Sequence, residues 1–140
     1  MSGCEIYQLR HLERFNNSFK KVIKNHYRKN ERARNSFLEL VEDIIAQLRE
    51  NPGSHPSSED EGFPKGCYQP VFKFRKIKFG MPELQGAAEC GRLMYVIHEE
   101  QCIVYLLWVY THAEFPKRPS DDDLRREFTT IQQTAEQAEM

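Results

Sequence analysis

Leu93-Met94-Tyr95-Val96-Ile97-His98 and Cys102-Ile103-Val104-Tyr105-Leu106-Leu107-Trp108-Val109-Tyr110-Thr111, parted only by Glu99-Glu100-Gln101, decide the fold of this chain. Both runs are dense in β-branched, aromatic and aliphatic residues, the composition of strands. Their closeness in sequence predicts an antiparallel hairpin. The acidic tip lacks the Asn-Gly pair suited to a two-residue type I′ turn, so a three-residue connection is expected. Val71 to Phe79 supplies a further strand, but Phe72 and Phe74 fall out of phase with Ile77 and Phe79, which predicts a bulge or break near Arg75.

Upstream, Phe19, Val22, Ile23, His26 and Tyr27 recur at helical spacing behind Asn17 or Ser18, either of which can cap a helix. A second helix carries Phe37, Leu38, Val41, Ile44, Ile45 and Leu48 and is stopped by Pro52-Gly53. The pair reads as an αα-hairpin. Ahead of it, Ile6, Leu9, Leu12 and Phe15 suit a helix as well as a short strand. Residues 51–66, rich in Pro and Gly around Ser-Ser-Glu-Asp-Glu, have nothing to bury and read as a mobile loop. Phe115 to Pro119 ends the last strand, and Ser120 before a run of aspartates starts a C-terminal helix with Leu124, Phe128 and Ile131 on its apolar side. Residues 133–140 are expected to fray. The expected fold is a single α+β domain over 1–140, in which two N-terminal helices pack on a small antiparallel sheet of three to four strands, followed by a C-terminal helix.

With 140 residues and 39% hydrophobic side chains the chain can bury a real core, which excludes a disordered protein. No apolar run approaches the roughly 20 residues that span a bilayer. The amino terminus shows no basic-then-apolar leader, so a soluble cytoplasmic protein is expected. Cys4, Cys67, Cys90 and Cys102 are scattered without zinc-ligand spacing and read as free thiols, Cys102 as a small core residue. Neither metal nor cofactor is expected. A net charge of −1 argues against a generic nucleic-acid binder, but the charge is patchy. Residues 10–34 are strongly basic, 39–61 acidic, and Lys65, Lys73, Arg75, Lys76 and Lys78 basic again.

Strand alternation puts Arg92, Met94 and Val96 on one face and Leu93, Tyr95 and Ile97 on the other. On the last strand Leu106, Trp108, Tyr110 and His112 share one face and Tyr105, Leu107 and Val109 the opposite one. A Tyr, a His and an Arg can thus gather at one end of the sheet, near Lys76 and Lys78. The order of elements, with Arg75-Lys76-Ile77-Lys78-Phe79, Gly91-Arg92-Leu93-Met94-Tyr95, a strand ending Tyr110-Thr111-His112, and Ser120-Asp121-Asp122, resembles the RelE/ParE superfamily of toxin-antitoxin toxins, most closely its RelE- and HigB-like ribonucleases. The resemblance spans roughly Phe15 to Phe128, and it lies in order and spacing, no one motif being specific.

What the resemblance implies is a toxin-type, metal-independent endoribonuclease that cleaves mRNA at the ribosome and is neutralised by a cognate antitoxin. It implies that Arg92 stabilises the phosphorane, that Tyr110 and His112 serve proton transfer, and that Lys76 and Lys78 hold the RNA backbone. Apart from the resemblance, Arg75 in the same basic strand is a further RNA-binding candidate, and Lys117 and Arg118, flanked by prolines, either bind phosphate or aid solubility. His112 stands where many relatives have Lys, and the pI of about 6.5 departs from the basic character usual in ribosome-acting members. The chemistry suits these residue types. RNA supplies its own 2′-hydroxyl nucleophile, so the protein must take a proton, stabilise a dianionic phosphorane and protonate the leaving oxygen. Arg offers a planar fork for phosphate oxygens, Lys a point charge, and His a pKa near neutrality.

Each assignment has a structural alternative: Lys76 and Lys78 as a solvated strand face, Arg92 as a partner of Glu89 or Glu114, Tyr110 as a core aromatic. The corresponding functional alternative is a ParE-like or degenerate member that only binds a protein partner.

Overall fold

The computed structural model of the protein describes residues 3–138. In chain order the elements are β1 (Gln8–His11), α1 (Glu13–His26), α2 (Glu31–Glu50), β2 (Ser58–Asp60), β3 (Phe72–Gly80), a 3-10 turn (Gly86–Glu89), β4 (Cys90–His98), β5 (Ile103–Thr111) and α3 (Asp121–Ala138). The sheet has five strands in the order β1-β5-β4-β3-β2, with β1 parallel to β5 and the other pairings antiparallel. The expected α+β fold is present. Two short edge strands, β1 and β2, enlarge its antiparallel centre.

Helices cover both faces of the sheet. Phe15 of α1 and Ile44 and Leu48 of α2 pack with Ile77, Leu93, Tyr95, Val104, Leu106 and Val109 on one face. Leu124, Phe128, Ile131 and Ala135 of α3 pack with Phe72, Phe74, Met94, Val96 and Tyr105 on the other. This explains the phase puzzle in β3 without a bulge, since its register with β4 is continuous from Phe72 to Gly80. Phe72 and Phe74 serve the α3 face, and Ile77 and Phe79 serve the α1/α2 face. A strand with core on both sides need not alternate apolar with polar.

The irregularity lies instead in the hairpin, between Met94 and Tyr95, where Met94 faces Trp108 but Tyr95 faces Leu106. Leu107 is the extra residue, and beyond it the parity of β5 reverses. Leu106 therefore packs with Val109, while Tyr105 and Leu107 share a core with Trp108 and Tyr110, which corrects the simple alternation. The connection is also longer than expected. It runs from Glu99 to Cys102, with Cys102 at φ 55° in the left-handed region.

Cys102 is thus a turn residue, and it forms a disulfide with Cys4 across a sequence separation of 98. The reading of these two cysteines as free thiols is corrected; Cys67 and Cys90 remain free. Nothing in the local sequence around Cys4 points to Cys102, because β1 brings them together by pairing with the start of β5, Gln8 against Ile103.

Helix α1 begins at Glu13, earlier than Asn17 or Ser18 would start it. Ser18 lies inside the helix, where its hydroxyl donates to Phe15 O and accepts the Val109 N–H at 3.1 Å. β1 pairs with β5 only as far as Leu106, and α1 then takes over that edge. For α2 the N-cap is Asn30, whose side chain accepts from Ala33 N. Ser120 caps α3 as expected, accepting from Asp123 N at 3.2 Å. α3 continues to Ala138, with the Gln101 amide donating to Ala135 O, and residues 139 and 140 lie outside the described residues. Among the described residues no helix is long and apolar enough to cross a membrane.

Candidate functional site

Strand register assembles the site. Lys78 lies opposite Arg92, and Arg92 opposite Tyr110, in one row across β3, β4 and β5. The next row on the same face toward the hairpin is Lys76, Met94 and Trp108. On the other side of the first row His112 follows the end of β5, its N–H donating to Cys90 O at 3.1 Å. All of these sit at the sheet end remote from the β4–β5 turn. α3 sets out from this end, and its last turns reach Gln101 of the turn. Gly91 is needed beside Arg92, because a Cβ there would come within 2.5 Å of the Phe79 ring.

Arg92 is half-buried, and its Nη1 donates to the carbonyl of the preceding residue, Gly91, at 2.7 Å. Tyr110 is fully buried against Phe115 in an edge-on contact, and its hydroxyl has no hydrogen-bond partner among the described residues. Burial and the Glu61 carboxylate push its pKa up to about 12, outweighing Arg92 and Arg118. A phenol with so high a pKa is protonated at physiological pH, which suits it to donate a proton and not to accept one. The His112 imidazole is held below its ordinary value by burial and by Arg92, Lys76 and Lys78. It is neutral at pH 7 and can accept a proton.

The RNA-binding candidates divide. Lys76 and Lys78 share the face of Arg92, whereas Arg75 lies on the opposite face. There its Nε donates to Ser58 Oγ and its Nη1 pairs with Asp60 at 2.5 Å. Ser58 in turn bonds the Tyr95 hydroxyl, which donates to Pro52 O at 2.6 Å, so Arg75 belongs to a network that ties down the chain after α2. Lys117 is exposed. Arg118 reaches the site through Glu61, at 2.8 Å, and also pairs with Asp121 at 2.9 Å.

Neither a protein-family model nor a curated protein matches the chain. Among solved structures it is similar to one of E. coli toxin RelE, a mutant in the free state. That chain is 18% identical, with a TM-score of 0.43, over 79% of this chain and 88% of that one.

The sequence reading missed the carboxylates. Residues 58–60, inside the stretch read as loop, form edge strand β2 against Ile77, Lys76 and Arg75 of β3. Glu61 holds Lys76 at 3.0 Å with one oxygen and Arg118 with the other, and Glu59 holds Lys78 at 3.1 Å. A signal was present: Glu59-x-Glu61 has the same two-residue period as Lys76-x-Lys78, the pattern by which adjacent strands pair opposite charges on one face.

Proposed function

We propose that the Lys78–Arg92–Tyr110 row, with His112 beside it, cleaves RNA without a metal, as a toxin-type endoribonuclease acting on mRNA at the ribosome and silenced by an antitoxin protein. The observation that carries the reading is the convergence of one arginine, one imidazole whose pKa is lowered by burial and by its cationic neighbours, and one orphaned phenol donor. His112 takes the proton of the RNA 2′-hydroxyl, and the freed oxygen attacks the adjacent phosphorus. Arg92 stabilises the charge that grows on the phosphorane oxygens. The bond to the 5′-oxygen breaks, with the Tyr110 phenol as the protein's donor to it, leaving a 2′,3′-cyclic phosphate and a 5′-hydroxyl. Lys76 and Lys78 hold the backbone, and exposed Lys20 and Lys24 on α1 give an acidic antitoxin segment a second place to dock.

The pH–rate profile of RNA cleavage tests the proton acceptor. Because the His112 pKa is lowered, its neutral form persists below the ordinary imidazole range, and the rate falls only as pH drops through that lowered value. His112→Ala removes this acid limb along with most of the rate. A limb at or above the ordinary imidazole pKa contradicts the assignment, and no cleavage at any pH favours the second reading. That reading is a protein-binding module without chemistry, and it is supported by the full burial of Tyr110 and by the carboxylates on Lys76, Lys78 and Arg118.

A further inference from the structure

We infer that β2 and Glu61 form an intramolecular strap that occupies the anion-binding face of the sheet and is displaced when a phosphate chain binds there. The proposed function supplies only the identity of that chain as RNA. Glu59 and Glu61 present two carboxylates to Lys76, Lys78 and Arg118, and Asp60 pairs with Arg75 on the other side of the same strand. Side chains two residues apart on a strand stand about 6.6 Å apart, a spacing comparable to successive phosphates of an extended nucleic acid strand. The acidic segment thus imitates the ligand whose place it takes.

The strap is built to be released. Only three of its residues pair with β3, at the very edge of the sheet. Beyond them, the backbone bonds Glu61 N to Phe74 O (2.9 Å) and Lys78 N to Ser57 O (3.2 Å) close the ladder. Glu59 and Asp60 are exposed, so their ion pairs are weak in water and weaken further with salt. The chain on either side carries Pro52, Gly53 and Pro56 before it and Gly62, Pro64 and Gly66 after it, without helix or strand. Glu61 is the anchor, its side chain only 11% exposed between two cations. Lifting it, together with Glu59, uncovers Lys76, leaves Arg118 paired with Asp121 alone among carboxylates, and removes the carboxylate that raises the Tyr110 pKa.

Binding of two probes, a single-stranded RNA oligonucleotide and inorganic tripolyphosphate, to the full chain tests this. Wild type is compared with Glu59→Gln and Glu59→Gln/Glu61→Gln at two salt concentrations. The double variant binds both probes roughly tenfold more tightly, with a salt dependence steeper by about one phosphate contact. The single variant, which changes one exposed side chain and keeps the fold, gains about twofold. Adding Lys76→Ala to the double variant cancels most of the gain. In wild type, either probe exposes the Glu61 amide to hydrogen exchange. Tighter tripolyphosphate binding with no RNA binding in any form supports the strap and overturns the RNA reading. RNA bound equally by all three forms overturns the strap and leaves that reading standing, and unchanged binding of both probes also overturns the strap.

Discussion

On the proposed ribonuclease reading, Arg92→Ala is expected to slow RNA cleavage about 100- to 1000-fold, the loss usual for one preorganised stabiliser of a developing oxyanion. The effect is one of chemistry and not of folding. Arg92 is half-buried, its one side-chain bond goes to the carbonyl of the preceding residue, and its neighbours Leu93 and Met94 keep their places in the two cores. Arg92→Lys recovers part of the rate, since it restores the charge without the fork that grips two phosphate oxygens. Lys78→Ala behaves differently: it weakens RNA binding and flattens its salt dependence, while the rate at saturating RNA changes little. An Arg92→Ala protein that cleaves at the wild-type rate removes the phosphorane from this row.

Cys4→Ser lowers the unfolding free energy by about 4 kcal/mol, because the disulfide closes a loop across a sequence separation of 98 and restricts the unfolded chain accordingly. The melting temperature falls by more than about 10 °C. The substitution belongs at Cys4, not at Cys102. Cys102 has a positive φ, so replacing it mixes the loss of the cross-link with a change in backbone strain. In the native state the disulfide pins the segment ahead of β1 to the turn ahead of β5. There the Tyr7 hydroxyl also donates to Glu99 at 2.8 Å, and Tyr7 N donates to Arg49 O. Reductant added to wild type produces the same loss, and none in Cys4→Ser. A melting temperature indifferent to reductant contradicts this pairing. Because reducing compartments open such bonds, stability follows the redox state of the surroundings.

The elements legible in the sequence were those with a local signal. The hairpin showed itself by composition, α2 by its apolar period and α3 by Ser120 and its aspartates. What escaped depended on distant partners. Leu107 is one apolar residue among apolar residues, so nothing in β5 marks it as the bulge. β1 is a strand because β5 accepts it, and Cys4 reaches Cys102 only through that parallel pairing. β2 looked like loop because Ser58, Glu59 and Asp60 have nothing apolar to bury; what holds them is charge from β3 and the Tyr95–Ser58–Arg75 network. Within the site, alternation allowed a Tyr, a His and an Arg to gather at one end of the sheet, but which faces meet is set by the register of β3, β4 and β5, which puts Lys78, Arg92 and Tyr110 in one row. Alternation could not tell that Tyr110 would be buried beside a carboxylate, which holds the phenol protonated. It also could not separate Arg75 from Lys76, neighbours in sequence on opposite faces of the sheet.

The fate of a single RNA phosphodiester tests the proposed ribonuclease most directly. Wild-type protein, with and without ribosomes and in the presence of a chelator, is incubated with an RNA and with the same RNA carrying 2′-deoxyribose at the cleaved position. The 2′-hydroxyl route predicts a 2′,3′-cyclic phosphate and a 5′-hydroxyl from the first and no product from the second. Intact RNA under both conditions from folded protein, or equal cleavage of the deoxy-substituted strand, contradicts it.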